Sequence, residues 1–481
     1  MSFASPPSAR VVVGVLAGAG IGVALMQTIV IPLIPDLPRL LDTSPANASW
    51  VLTATLLAGA VATPVVGRLG DLYGKRRLLL ISTLMLIAGS VVCALSDAPA
   101  PVVAGRALQG MSVGVIPLGI SIMRDELPPE RLGSAMAVMS SSLGVGGALG
   151  LPLAAAIAQY ADWHALFWAS AGLGALLAVL ILLLVPESPV RARARFDLPG
   201  ALGLTAGLVC LLLPVTKGGD WGWTSGATLG LFAAAALLLP LWGWWELRVR
   251  APLVDLRTTA RPQILLTNLA SIVVGFSMYA LSLIGPQVLQ LPAATGYGLG
   301  LSMFEAGLWM APGGLVMMAV SPLAARLSRV RSPKTSLFTG SLVIAAGYLA
   351  ALPLMGHAWG ILVAGSVISA GIGLAYAAMP ALIMGAVPVH ETAAANGLNS
   401  LMRSIGTSAS SAVIGAVLAQ LTIRLGPVPV PSETGLRAGL LIGGTAALVA
   451  ALVTLGIPGR RSPRRESRPV ASAVAVKPEE G

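Results

Sequence analysis

Gly67-Arg68-Leu69-Gly70-Asp71-Leu72-Tyr73-Gly74-Lys75-Arg76-Arg77 is the stretch that decides how the rest of the chain is read. It joins two apolar runs, 49–68 and 77–96, each near the roughly 20 residues that cross about 30 Å of hydrocarbon. Reverse turns at Gly67 or Gly70 and at Gly74 are expected, because glycine alone reaches positive φ without strain. Asp71 lies among Arg68, Lys75, Arg76 and Arg77. A carboxylate–guanidinium pair there could hold one conformation shut. An ordinary basic loop beside a membrane accounts for Lys75, Arg76 and Arg77, but not for the acid or the glycine spacing.

The same pattern of apolar runs and short polar gaps fills the whole chain. Of its 481 residues 56% are hydrophobic and 10% charged, and mean hydropathy is +0.85. Soluble domains carry about 25% charged residues, so a soluble enzyme is excluded. Fourteen runs are long enough to span a bilayer: 11–35, 49–68, 77–96, 100–123, 133–159, 164–185, 198–216, 226–245, 264–290, 302–325, 336–355, 359–386, 397–422 and 435–457. The first is too long for the apolar core of a signal peptide and reads as a retained membrane helix. Cys93 and Cys210 each lie inside an apolar run and read as packing residues.

A formal charge of +11 would point to nucleic acid in a soluble protein, but here the cations mark topology and no nucleic-acid partner is expected. With a cytoplasmic N-terminus, the inner loops and the tail hold nearly all of the 30 Lys and Arg, with Arg403 counted among them. Only Arg39, Lys217, Arg424 and Arg437 fall outside, and Arg106 lies within a span. The reading is a multi-pass cell-membrane protein with both termini cytoplasmic. Its basic tail, 459–481, would rest against anionic lipid. Thr63-Pro64-Val65-Val66-Gly67-Arg68-Leu69 is echoed by Ser321-Pro322-Leu323-Ala324-Ala325-Arg326-Leu327, and Pro128 and Gly146 by Pro388 and Gly406. Near-equal offsets predict a duplicated unit: six helices over 1–190, six over 261–458, and two inserted helices over 191–260. Such a body places its site near the midplane, between the halves.

The 67–77 stretch resembles the G-x-L-x-D-x-x-G-[KR]-[KR] signature of the major facilitator superfamily. With fourteen runs, the chain resembles that family's fourteen-helix drug:proton antiporter branch, over its whole membrane-spanning length. Trp50, Val185-Pro186-Glu187-Ser188, Trp245-Glu246, Pro252-Leu253-Val254-Asp255-Leu256 and Ala395-Asn396-Gly397-Leu398 agree with it. The resemblance implies an all-α polytopic membrane protein of the major facilitator fold, alternating access, and a gate lock formed by Asp71 and its cations. Arg106-Ala107-Leu108-Gln109-Gly110 matches the family's R-x-x-Q-G, whose Arg is linked to proton transfer. An Arg inside a span must be paired or face water, or else snorkel to the interface, and Arg106 lies close enough to Pro101 to do so. Gly144, Gly146, Gly147, Gly150 and Pro152 resemble the antiporter signature G-x-x-x-G-P-x-x-G-G imperfectly. Gly146, Gly150 and Pro152 are candidates for helix bending, and membrane packing explains the glycines equally well.

One departure matters more. The family's L-D-x-T-x-x-N is Leu25-Met26-Gln27-Thr28-Ile29-Val30-Ile31 here, so Met26 replaces the usual proton-coupling acid. Asp36 and Glu305 are the remaining candidate proton carriers, and Asp162 with His164 lies in a connection; all four can also be solvated loop ends. Gln27, Gln109, Asn268, Met278, Tyr279, Ser282, Gln287, Trp309, Met310 and Tyr376 are candidate cavity residues, apolar area with a few dipoles. With no midplane carboxylate to neutralise a cation, lipophilic compounds that are neutral or weakly charged are the expected substrates. The expected function is export of such compounds by a monomer through proton antiport. The alternative is movement of one metabolite without antiport, and a membrane enzyme is remote. His164, His357 and His390 are scattered, and no Gly-Lys-Ser/Thr loop occurs, so no metal, cofactor or ATP is expected.

Overall fold

The computed structural model describes residues 9–33, 36–425 and 428–458. The proposed tail at 459–481 lies outside them. Among the described residues, fourteen helices are long and apolar enough to cross a membrane. They are α1 (Ala9–Thr28), α2 (Trp50–Tyr73), α3 (Lys75–Ala94), α4 (Pro99–Glu126), α5 (Pro129–Tyr160), α6 (His164–Leu184) and α7 (Leu198–Trp221). There follow α8 (Gly226–Glu246), α9 (Pro262–Gln290), α10 (Met303–Val330), α11 (Pro333–Leu354), α12 (Ala358–Met384), α13 (Thr392–Gln420) and α14 (Glu433–Leu455).

All fourteen apolar runs are therefore helices. In lipid a helix satisfies its own backbone groups, which leaves little else for such a run to do. The starts follow sequence chemistry: Ser225, Ser302, Ser332 and Ser432 each accept a backbone N–H of the first turn. Two expectations on the loop after α2 change. Gly67 and Gly70 make no turn, because α2 runs unbroken to Tyr73. The chain reverses at Gly74 alone, where φ is +115°. Helix α7 likewise runs past the expected end of its apolar run at 216, to Trp221.

One end of the bundle holds the α2–α3 junction and most described cations, and is called the basic end below. The opposite, far end carries a feature absent from the sequence reading. There a short hairpin pairs β1 (Thr422–Leu425) antiparallel with β2 (Val428–Pro431). Tyr297 donates its hydroxyl to Pro431 O at 2.5 Å, fastening the hairpin to the connection after α9.

The sequence echo has a packing counterpart. Gly397 on α13 faces Thr63 O of α2, while Ser321 on α10 donates to Ala137 O of α5 at 3.1 Å. Residues 63 and 321, and 137 and 397, are thus matched in sequence and both pairs join the two halves of the chain. Gly146 backs onto Ile21 O of α1 in the way Gly406 backs onto Ile272 O of α9. Helix α7 packs against both α2 and α13, and α8 packs against α7. Trp245 Nε1 donates to Asp197 at 3.2 Å, and Val254 N donates to Glu246 Oε2 at 3.3 Å, so the inserted pair and its following loop form one unit.

Candidate functional site

Polar clusters at the basic end and around two arginines deep in the bundle interrupt the apolar packing. At the basic end the carboxylate of Asp71, at the end of α2, accepts the backbone N–H groups of Ala393 (3.2 Å) and Ala394 (2.8 Å) in the first turn of α13. A helix N-terminus presents free N–H groups and a positive dipole end, so it is a natural seat for an anion. This contact joins the two halves of the sequence. It comes so close because Gly67 brings α2 against Ala393, where a side chain would meet the Ala393 carbonyl oxygen at 2.5 Å.

The cations are not arranged as the sequence reading expected. Among the described residues Asp71 pairs with no guanidinium: Lys75 Nζ lies 3.8 Å away and bonds more closely to Asp125, at 2.5 Å, with all three side chains enclosed. Ser188 also donates to Asp125, at 2.5 Å, which places the Val185–Ser188 segment in the same cluster. Arg76 donates to Leu182 O on α6, and Arg77 is exposed. Arg124, unremarked in the sequence, crosses to the other half and donates to Thr392 Oγ1 (2.5 Å) and Val387 O (3.2 Å). A cavity of about 230 Å³ adjoins the cluster, between Arg68, Arg250, Leu253 and the start of α13.

The deep clusters centre on two arginines. Arg106 is fully enclosed and does not snorkel: it donates to Gln109 Oε1 (2.6 Å), Met26 O (3.0 Å) and Val51 O (3.3 Å). Gln109 in turn donates to Ser90 (2.8 Å). Where the family pattern has an acid, this chain thus offers Arg106 the backbone carbonyl of Met26.

Arg403 was counted with the basic loops, and that placement is corrected. It is eleven residues beyond Thr392 in α13, about 16 Å along the helix. Its guanidinium lies over the Tyr376 ring at 5.0 Å and donates to Asn399 Oδ1 (3.0 Å) and Ser400 Oγ (2.8 Å). Asn399 donates to Asn268 Oδ1 (2.9 Å) and Ser271 Oγ (2.7 Å), and Tyr376 donates to Met278 Sδ (3.2 Å). The sequence signal was there: Asn399 and Arg403 are i,i+4 neighbours inside an apolar run.

The structure gathers some expected site residues and scatters others. Asn268, Met278 and Tyr376 join the Arg403 network; Tyr279 is half-buried on the same helix as Asn268. Gln287 lines a cavity of about 450 Å³ at the far end with Leu283, Ser411, Gly415 and the hairpin. Trp309 and Met310 pack against the apolar core of α9–α14, Gln27 is half-buried on α1, and Ser282 is exposed. Gly146 and Gly150 seat α1 against α5, and α5 runs unbroken through Pro152. Asp36 is exposed beside Arg39 at 3.9 Å. Glu305 is exposed in a capping box with Ser302. Neither side chain reaches the interior. Among the described residues no group of His, Cys, Asp and Glu could hold a metal.

A helical membrane body, a staple joining its halves and buried arginines together define a polytopic transporter. The chain belongs to the Major Facilitator Superfamily, whose family model matches residues 16–411. It is an integral membrane transporter of that family and not an enzyme. It is similar to the probable actinorhodin transporter of Streptomyces coelicolor, at 27% identity over 86% of this chain and 73% of that protein. It is similar to the multidrug resistance protein Stp of Mycobacterium tuberculosis, at 27% over 89% and 80%. Similarity to the tetracenomycin C resistance and export protein of Streptomyces glaucescens is 28% over 88% and 77%. The human organic anion transporter MFSD10 shares the fold, with a TM-score of 0.65 over 93% of this chain and all of that one, at 17% identity.

Proposed function

We propose that this protein exports lipophilic small organic compounds from the cytoplasm by alternating access, with the basic end and both termini facing inward. The observation that carries the reading is the Asp71 staple, which ties one half of the chain to the first turn of α13 in the other. Opening that end requires those bonds to break, so the contact is placed to act as a lock between access states. The names of three relatives, which concern antibiotic and multidrug transport or resistance, support the substrate class. The positive-inside rule supports the orientation. The protein works as a monomer, without cofactor or ATP.

Export runs as proton antiport, in which the Arg106–Gln109 pair belongs to the coupling machinery and Asp71 links it to the gate. A second reading, export without antiport, is favoured by one observation: among the described residues, the midplane clusters hold no carboxylate, and Met26 stands where the family pattern has one. Accumulation of anthraquinone-2-carboxylate in inverted vesicles under an imposed pH gradient, above its level in protein-free vesicles, separates the two. Antiport predicts gradient-dependent uptake, lost in Asp71→Asn and Arg106→Ala. Uptake indifferent to the gradient selects the second reading, and no uptake by the intact protein rejects export of this probe class.

A further inference from the structure

Resting on that export reading, we propose that the substrates carry an acidic group, a carboxylate or an acidic phenol on a lipophilic aromatic body, and that Arg403 is its receptor. Arg403 is a fixed cation in the middle of a span. Such a charge persists there only if it is paired or opens onto a polar space. Among the described residues no carboxylate pairs with it; its partners are a neutral amide, a hydroxyl and the face of a phenol ring. These contacts fix the guanidinium without neutralising it. A guanidinium has five donors, so the two used on Asn399 and Ser400 leave a donor edge free.

The position is accessible. Arg403 is half-buried, and its guanidinium is set among side chains of α13 and α12, with Gly275 of α9 against its backbone. Ser400, Ser404, Thr407 and Ser411 follow at spacings of four, three and four, which places them along one face of α13. Ser411 lines the far-end cavity with Gln287. The stripe sets a line of hydroxyls along α13 between that cavity and Arg403, the proposed entry track. Arg106 is no rival receptor, because it is fully enclosed and bonded to carbonyl oxygens of its own half. An organic anion entering the track would meet a cation already oriented for two-pronged bonding, whereas a cationic ligand would meet uncompensated like charge.

Equilibrium dialysis of the full chain in lipid nanodiscs, with empty nanodiscs as the blank, tests this with three probes: anthraquinone-2-carboxylate, its methyl ester and ethidium. The carboxylate should bind at least about tenfold more tightly than the ester or ethidium, the step that a charge-assisted bidentate pair supplies. Arg403→Gln should abolish that preference, with carboxylate binding falling to the level of the ester. Arg403→Lys should keep part of it, since the charge survives and the planar fork does not. Ser404→Asp, which puts an anion on the same track, should weaken the carboxylate and spare the ester. Equal or tighter binding of ester or ethidium by the wild type overturns the proposal. So does an absence of saturable carboxylate binding, or a monodisperse Arg403→Gln that keeps the preference. If Arg403→Gln does not fold, the wild-type ratio and Ser404→Asp still decide. The export reading fails separately: a protein that prefers the carboxylate but moves none of the three probes in vesicles refutes export and leaves the binding site standing.

Discussion

At the scale of single residues, the loop signature proves to be a division of labour rather than a patch of charge. Lys75 is enclosed between Asp71 and Asp125 and keeps two buried carboxylates from facing each other unpaired. Breaking such a pair from one side costs about 3–5 kcal/mol. Lys75→Met should therefore lower the thermal unfolding temperature in detergent markedly, and Arg77→Met, on an exposed side chain, should leave it unchanged. Equal effects would show that the motif acts as diffuse basic charge. The acid and the glycines were legible from the sequence as a unit. What could not be read was the partner of Asp71: backbone N–H groups some 320 residues away leave no side-chain signature.

At the scale of elements, helix identity was the readily legible part, because each apolar run has one stable backbone in lipid. Helix contacts were less so. Gly67 reads as a turn residue and serves as a packing surface, since α2 has no reason to stop before Gly74. Gly67→Val should push α2 and α13 apart and weaken the packing by about 1–3 kcal/mol, the usual cost of overpacking. Transport should fall with it. Gly133→Ala on α5 meets nothing within 4 Å and should be silent in the same assay. At the start of α6, Asp162 Oδ1 accepts the His164 N–H at 2.8 Å, and that bond with the His164 ring holds its carboxyl below the usual range. A depressed pKa means that this turn contributes fully above about pH 3.9 and is lost as pH falls through the lower folded value. Hydrogen exchange at Ala165 and Leu166 should accelerate in Asp162→Ala at neutral pH and approach that of the wild type in strong acid. Arg403 shows where periodicity alone misled: a cation near the edge of an apolar run reads as a loop residue until the helix is found to begin at Thr392.

At the scale of the whole molecule, the echo at offsets near 260 coincides with two matched contacts. Residues 63 and 321 each meet the opposite half, through 397 and 137. The symmetry is broken where it bears on function: Asp71 staples one seam, while Arg329, its counterpart in the echo, is exposed. One seam would therefore open under chemical control and the other act as a hinge. The exposed positions Tyr73 and His390 flank the stapled seam on opposite halves. Spin labels there, in a background lacking Cys93 and Cys210, give the distance between the halves at the basic end. In nanodiscs the account predicts a single short distance at rest and a second, longer population when a transported compound and a pH gradient are applied. Transport at full rate with the short distance unchanged would contradict it.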